Sequence, residues 1–251
     1  MKRWSWLILV VFSIQACQEE NLGPDRCILE AIYLDEYNRF EFLTLSEGVI
    51  YQIRQKFELE GDVDLVSSFQ FTYFQDSVVI RDQLNPGKFP YMRVQMENEQ
   101  PIKIVRHFPT EDVLLFHEFS YYDDRIEVKM SRLASTGDLA DLAYGIYYFD
   151  EKGNIGRVEK FRSDFEGSFY KYEERFFQYD QGISPLKNML IPFFMRVALP
   201  DAEFFSLNNI TVDQRIDARD NYSYRYSESG HTVAQIAADG SQVSFSYLNC
   251  E

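Results

Sequence analysis

Apolar and polar residues alternate with a period near two along most of the chain. Strands are expected at Ile28–Tyr33, Phe40–Leu43, Val49–Phe57, Leu65–Phe74, Ser77–Arg81, Tyr91–Gln95, Ile102–His107, Val113–Tyr122 and Ile126–Met130. Further strands are expected at Gly145–Phe149, Ile155–Phe161, Ser168–Tyr179, Ser223–Tyr226, Thr232–Ala237 and Gln242–Leu248. No stretch keeps a 3.6-residue apolar period. One short helix is expected at Ser135–Leu142, where Ser135 or Thr136 can cap a turn ahead of Leu139 and Leu142. Pro185, Pro192 and Pro200 make residues 184–209 an irregular or short-helical excursion between strands. No Pro/Ser/Gly linker divides the chain. The expectation is one all-β domain over 27–251, a long antiparallel meander of hairpins forming one large twisted or half-barrel sheet.

The meander expectation rests on a weak internal repeat. Its clearest copy is Tyr147-Tyr148-Phe149-Asp150-Glu151-Lys152-Gly153-Asn154-Ile155, with related copies at 119–126, 177–183 and 222–230 and a closing turn at Ala238-Asp239-Gly240-Ser241. Aromatic residues two apart share one face of a strand. Asp-x-x-Gly suits a type I turn, with Asp bonding nearby backbone and Gly ending the turn. Each copy is therefore expected to be a hairpin. The pattern resembles the YD repeats of Rhs-like proteins. The second half, through Tyr179–Asn188, Ser206–Thr211 and the closing Tyr-rich hairpin to Cys250, more closely resembles a domain of unknown function in lipoproteins of the Bacteroidota. That resemblance implies a fold and carries no activity.

The N-terminus has Lys2 and Arg3, an apolar run from Trp4 to Ile14, and the junction Gln15-Ala16-Cys17. This is signal-peptide anatomy, and the run is shorter than the roughly 20 residues needed to span a bilayer. The junction resembles a bacterial lipobox, with Gln15 where a small residue is commoner. The resemblance implies cleavage after residue 16, acylation of Cys17 and a tether over 17–26. Acyl chains anchor because each buried methylene contributes about 0.8 kcal/mol. Gln18-Glu19-Glu20 resembles the surface-export tag of Bacteroidota lipoproteins, which implies the outer membrane and its outer surface, with the periplasmic face as the alternative. An ordinary signal peptide with an incidental cysteine is the other reading.

The formal net charge is −15, and loss of residues 1–16 removes Lys2 and Arg3 and deepens it. So acidic a chain disfavours nucleic acid as a partner. With Cys17 lipidated, Cys27 and Cys250 remain, one near each end. In an oxidising compartment they read as a disulfide, with free thiols or a metal pair as the alternative.

Candidate chemistry is sparse. His107, His117 and His231 form no zinc-binding spacing, although His107 and His117 could meet across neighbouring strands. No Gly-x-Ser-x-Gly elbow or phosphate-cradling glycine loop occurs. The acidic pairs Asp62/Asp64, Asp123/Asp124 and Glu173/Glu174 lack calcium-loop spacing and read as solvated turns. No cofactor is expected. Phe193, Phe194, Phe204 and Phe205 form the most apolar patch, either a ligand platform or a lid over the sheet. The functional expectation is a non-catalytic, surface lipoprotein that binds an extracellular glycan, peptide or protein. Alternatives are an accessory lipoprotein of an outer-membrane assembly and, more remotely, a hydrolase with paired carboxylates.

Overall fold

A computed structural model describes residues 27–45, 49–84, 91–108, 113–164, 166–187 and 198–248. Among them are sixteen strands: β1 (Ile28–Tyr33), β2 (Asn38–Thr44), β3 (Ile50–Leu59), β4 (Asp62–Tyr73), β5 (Ser77–Asp82), β6 (Met92–Glu97), β7 (Gln100–Phe108) and β8 (Val113–Tyr121) come first. They are followed by β9 (Arg125–Leu133), β10 (Leu139–Phe149), β11 (Ile155–Ser163), β12 (Phe169–Ile183), β13 (Asn208–Gln214), β14 (Arg219–Tyr226), β15 (Thr232–Ala237) and β16 (Gln242–Leu248). Each strand pairs antiparallel with the next, and β1 pairs with β16. The meander is thus a closed barrel, and the expected half-barrel is carried through to full closure.

Alternation sorts side chains into an inner and an outer face. On β8, Val113, Leu115, His117 and Phe119 are buried, whereas Glu118 and Ser120 are exposed. Register carries the inner face round the wall, because directly paired residues lie on the same side. Val78, Val94, Ile104, His117, Met130 and Ala143 form one such row, strand to strand. Ile126, Tyr147, Val158 and Arg175 form another. The inner rows make one apolar core that includes Phe42, Ile53, Phe69, Phe71, Met92, Phe177 and Phe245.

Turn chemistry explains the hairpins. Asp150 Oδ1 accepts from the N–H groups of Lys152 and Asn154, and Gly153, at φ 81°, closes the turn between β10 and β11. Asp164 does the same for Glu166 and Ser168, with Gly167 at φ 83°, between β11 and β12. These left-handed φ values favour glycine.

Four expectations are corrected. Residues 135–142 are a turn leading into β10, because Gly137 at φ 87° reverses the chain and Ala134 N–H bonds the Asp138 carbonyl. Residues 177–183 make no turn: β12 runs through them, and Gly182 is required by close approach, since a Cβ there would meet the Tyr226 ring at 2.5 Å. Residues 208–209, expected to be irregular, begin strand β13. His107 and His117 do not meet, for His107 pairs with Leu114 and His117 with Ile104, which puts them on opposite faces.

Candidate functional site

The described parts of the connection from β12 to β13 pack against the barrel's inner core. Its described part begins at Ser184–Lys187 and resumes at Ala198, with a single 3₁₀ turn at Ala202–Phe204. Leu199 and Ala202 belong to the inner core, and Phe204 and Phe205 pack against it. The Phe205 ring stands 5.0 Å from that of Tyr147, edge to face. These two members of the candidate platform therefore point inward. Phe193, Phe194, Cys17 and Cys250 lie outside the described residues.

Hydrogen bonds from the wall hold this segment. The Tyr147 hydroxyl, fully buried, donates to the Pro200 carbonyl at 2.7 Å. Burial pushes its pKa well above the ordinary phenol value, so it stays protonated and a donor. Asn154 Oδ1 accepts from Leu207 and Asn208 N–H at 2.9 and 3.0 Å. Ser206 Oγ accepts the Ile155 N–H at 3.2 Å and lies 2.8 Å from the Tyr179 hydroxyl.

An ionic cluster reinforces the tie. Asp201 lies 3.7 Å from Lys160 Nζ and 3.5 Å from Arg175 Nη1. Glu173 lies 3.3 Å from Lys160 and 3.5 Å from Arg175. Arg175 also forks onto the Asp213 carboxylate through Nε, at 2.9 Å, and Nη2. Burial alone would lower the Arg175 pKa, but the Asp213 hydrogen bond and charge hold it above the ordinary value. Three carboxylates thus converge, each engaged by a cation. That is the arrangement of a structural tie rather than of an acid–base pair. Among the described residues no group of three or more His, Cys, Asp or Glu side chains could hold a metal ion.

The outer wall has the opposite character. Arg39 bridges Glu41 and Glu58, and Lys56 also reaches Glu41. Lys103 pairs with Glu118, Arg125 with Glu127 and Lys129 with Asp141. Lys171 joins Glu159 and Glu174. Further round, Arg225 donates to Gln242. Outward aromatics accompany these charges, with Arg157 4.2 Å above Tyr148 and Arg125 4.3 Å above Tyr122. A furrow of about 350 Å³ runs between Glu118, Glu127, Lys129, Asp141, Tyr144 and Phe169. Here Tyr144 stacks on Phe161 at 4.3 Å and meets Phe169 edge-on at 5.0 Å.

A membrane-spanning barrel turns an apolar band outward and keeps polar groups in its lumen, and each Arg or Lys on the lipid face at the midplane costs about 2–4 kcal/mol. Among the described residues this barrel has an apolar core inside, and paired charges outside on β2, β3 and β7 to β12, among single exposed apolar side chains.

No family model and no curated protein matches the chain. Among solved structures it is similar to a porin-like protein from Bacteroides vulgatus, at 14% identity and a TM-score of 0.60, covering 89% of this chain and 99% of that one. A porin-like protein from Bacteroides uniformis matches at 11% identity and a TM-score of 0.53, over 88% and 95% of the two chains. At such identities the likeness is one of fold: a large antiparallel barrel spanning nearly the whole chain.

The sequence missed the interior cations. Arg106, Lys160 and Arg175 sit at inward positions of their strands, and the only signal was the parity of a charge among apolar neighbours, on strands whose inner face was not yet known.

Proposed function

We propose that this chain is a non-catalytic lipoprotein of the outer membrane, held by acyl chains on Cys17, whose barrel stands in water beside the bilayer and binds an extracellular ligand. The observation that carries this reading is the outer wall, with ion pairs where a spanning barrel would meet lipid. The likeness to porin-like proteins of Bacteroides fits an outer-membrane setting, while the charged wall favours tethering over insertion. Among ligand classes a glycan suits the wall best. The furrow beside Tyr144 and Phe169 offers aromatic surface for sugar C–H groups, with Glu118, Glu127 and Asp141 as hydrogen-bond acceptors alongside.

The test uses cells fed a palmitate analogue. Wild type is expected to incorporate the label and to sediment with membranes, and Cys17→Ser to lose the label and appear as a folded, detergent-free soluble barrel. A Cys17→Ser protein that stays in membranes after alkaline washing would overturn the tethered reading. Protease added to intact cells separates outer surface from periplasmic face. A glycan array probed with wild type and Phe169→Ala tests the ligand class, and no glycan signal would sink that part.

A further inference from the structure

Among the described residues, Arg106 is an inner cation with no carboxylate ion-paired to it. It lies on β7 two residues past the inward-facing Ile104 and is paired with Met92 and Leu115 across its neighbours, so its side chain enters the barrel. It is only 6% exposed. Its guanidinium carbon is 4.9 Å from the centroid of the Tyr91 ring and 4.9 Å from that of Phe108. Nη2 donates to the Tyr91 hydroxyl oxygen. Nε and Nη1 are buried with no hydrogen-bond partner. Among the described residues no Asp or Glu is ion-paired to it. Lys160 and Arg175, also inward among the described residues, both have carboxylates.

A guanidinium in a protein does not shed its proton. Buried, with donors unmet and no described carboxylate paired to it, it is among the costliest arrangements a fold can hold; the nearest acidic influence is Asp82, which acts on Tyr91. A bound anion removes that cost. One positive charge calls for one negative charge, and the planar fork of a guanidinium matches a carboxylate. The Tyr91 oxygen accepts from Arg106, which leaves its own O–H to donate to the same anion. The Tyr91 and Phe108 rings, with Phe69 4.9 Å beyond Tyr91, surround this edge with apolar surface. That surface suits a singly charged carboxylate rather than a multiply charged phosphate.

We propose that Arg106, with Tyr91 and Phe108 around it, is an interior receptor for a carboxylate, either a small free carboxylate ion or the carboxyl group of an apolar organic acid. This site stands independently of the anchoring and glycan reading.

The mature barrel would be titrated calorimetrically with sodium acetate, sodium decanoate and sodium 4-bromobenzoate at constant ionic strength. Saturable one-to-one binding is expected, weakened at least tenfold in Arg106→Met. Binding of all three supports a site for the carboxylate group itself. Binding of decanoate or bromobenzoate without acetate supports an organic acid as the source. Should Arg106→Met fail to fold, Tyr91→Phe, which removes the second donor, is expected to weaken binding several-fold. Wild-type crystals grown with 4-bromobenzoate are expected to show anomalous bromine density with the carboxylate on Arg106. No saturable binding of any of the three, unchanged binding in the variants, or bromine density elsewhere alone would overturn the proposal.

Discussion

The hydroxyl of Tyr147 donates to the carbonyl of Pro200 at 2.7 Å, joining the inner wall of β10 to the segment that returns between β12 and β13. Both groups are buried, so neither has water as a substitute partner. Tyr147→Phe keeps the ring against Phe205 and leaves the carbonyl unmet. The expected loss of stability is about 1–3 kcal/mol, read as a lower urea midpoint with an unchanged slope.

Asn154 is the second pin. Its Oδ1 takes two backbone N–H groups from the far end of the same segment, at Leu207 and Asn208, while its own N–H bonds Asp150 and helps shape the β10–β11 turn. Asn154→Ala strands two donors at once, and a loss of about 2–4 kcal/mol is expected. Asn154→Asp restores the acceptor and is expected to recover part of it. Hydrogen exchange should quicken first at 198–208, ahead of the wall strands.

His117 makes stability depend on pH. Burial lowers its pKa from 6.5 to about 3, against a smaller opposing contribution from the Ala198 backbone and with the Arg106 charge adding to the lowering. The unfolded chain therefore binds a proton that the folded chain refuses. Stability from this group is complete above pH 6.5, falls as pH drops through that value and stops falling near 3. Between pH 7 and pH 5 the loss is expected to be about 2 kcal/mol. His117→Met is expected to flatten that part of the profile, and denaturant titrations at the two pH values measure the difference.

The bridge expected from the sequence between Cys27 and Cys250 is open to a direct chemical test. Cys27 precedes Ile28, which pairs with Leu248 across the closing seam of β1 and β16, whereas Cys250 lies outside the described residues. A non-reducing digest is expected to yield one linked peptide from the two ends. Replacing both by serine is expected to cost up to about 4–5 kcal/mol, the chain-entropy value for so long a loop.

The hairpins were legible because their signals are local. Alternation marks strands, and Asp-x-x-Gly at 150–153 marks a turn that the Asp150 side chain does make. Where a local signal had two causes, the reading failed. Gly182 looked like a turn glycine but serves the Tyr226 ring lying over it, and Gly137 turned a supposed helix into a hairpin. The β12–β13 excursion could be seen as irregular from its prolines, but the docking of residues 198–207 on the inner wall could not. That docking is set by Tyr147, Asn154 and the Lys160–Arg175 cluster, which are brought together only by pairing across β10 to β13. The inward cations were hidden for the same reason, since parity has meaning only once a neighbour fixes which face is inside.

The pairing of β1 with β16 has a consequence for how the molecule is made. The first strand to be synthesised has its second neighbour at the far end of the chain, so the ring cannot be completed until the last strand has been made. Until then the growing sheet keeps two open edges and shows its aromatic inner face, the form most prone to pair with another chain. That one pairing of β1 with β16, spanning nearly the whole chain, is also expected to form slowly. Shielding of those edges until β16 is in place is therefore as much a requirement of this architecture as any of its side chains.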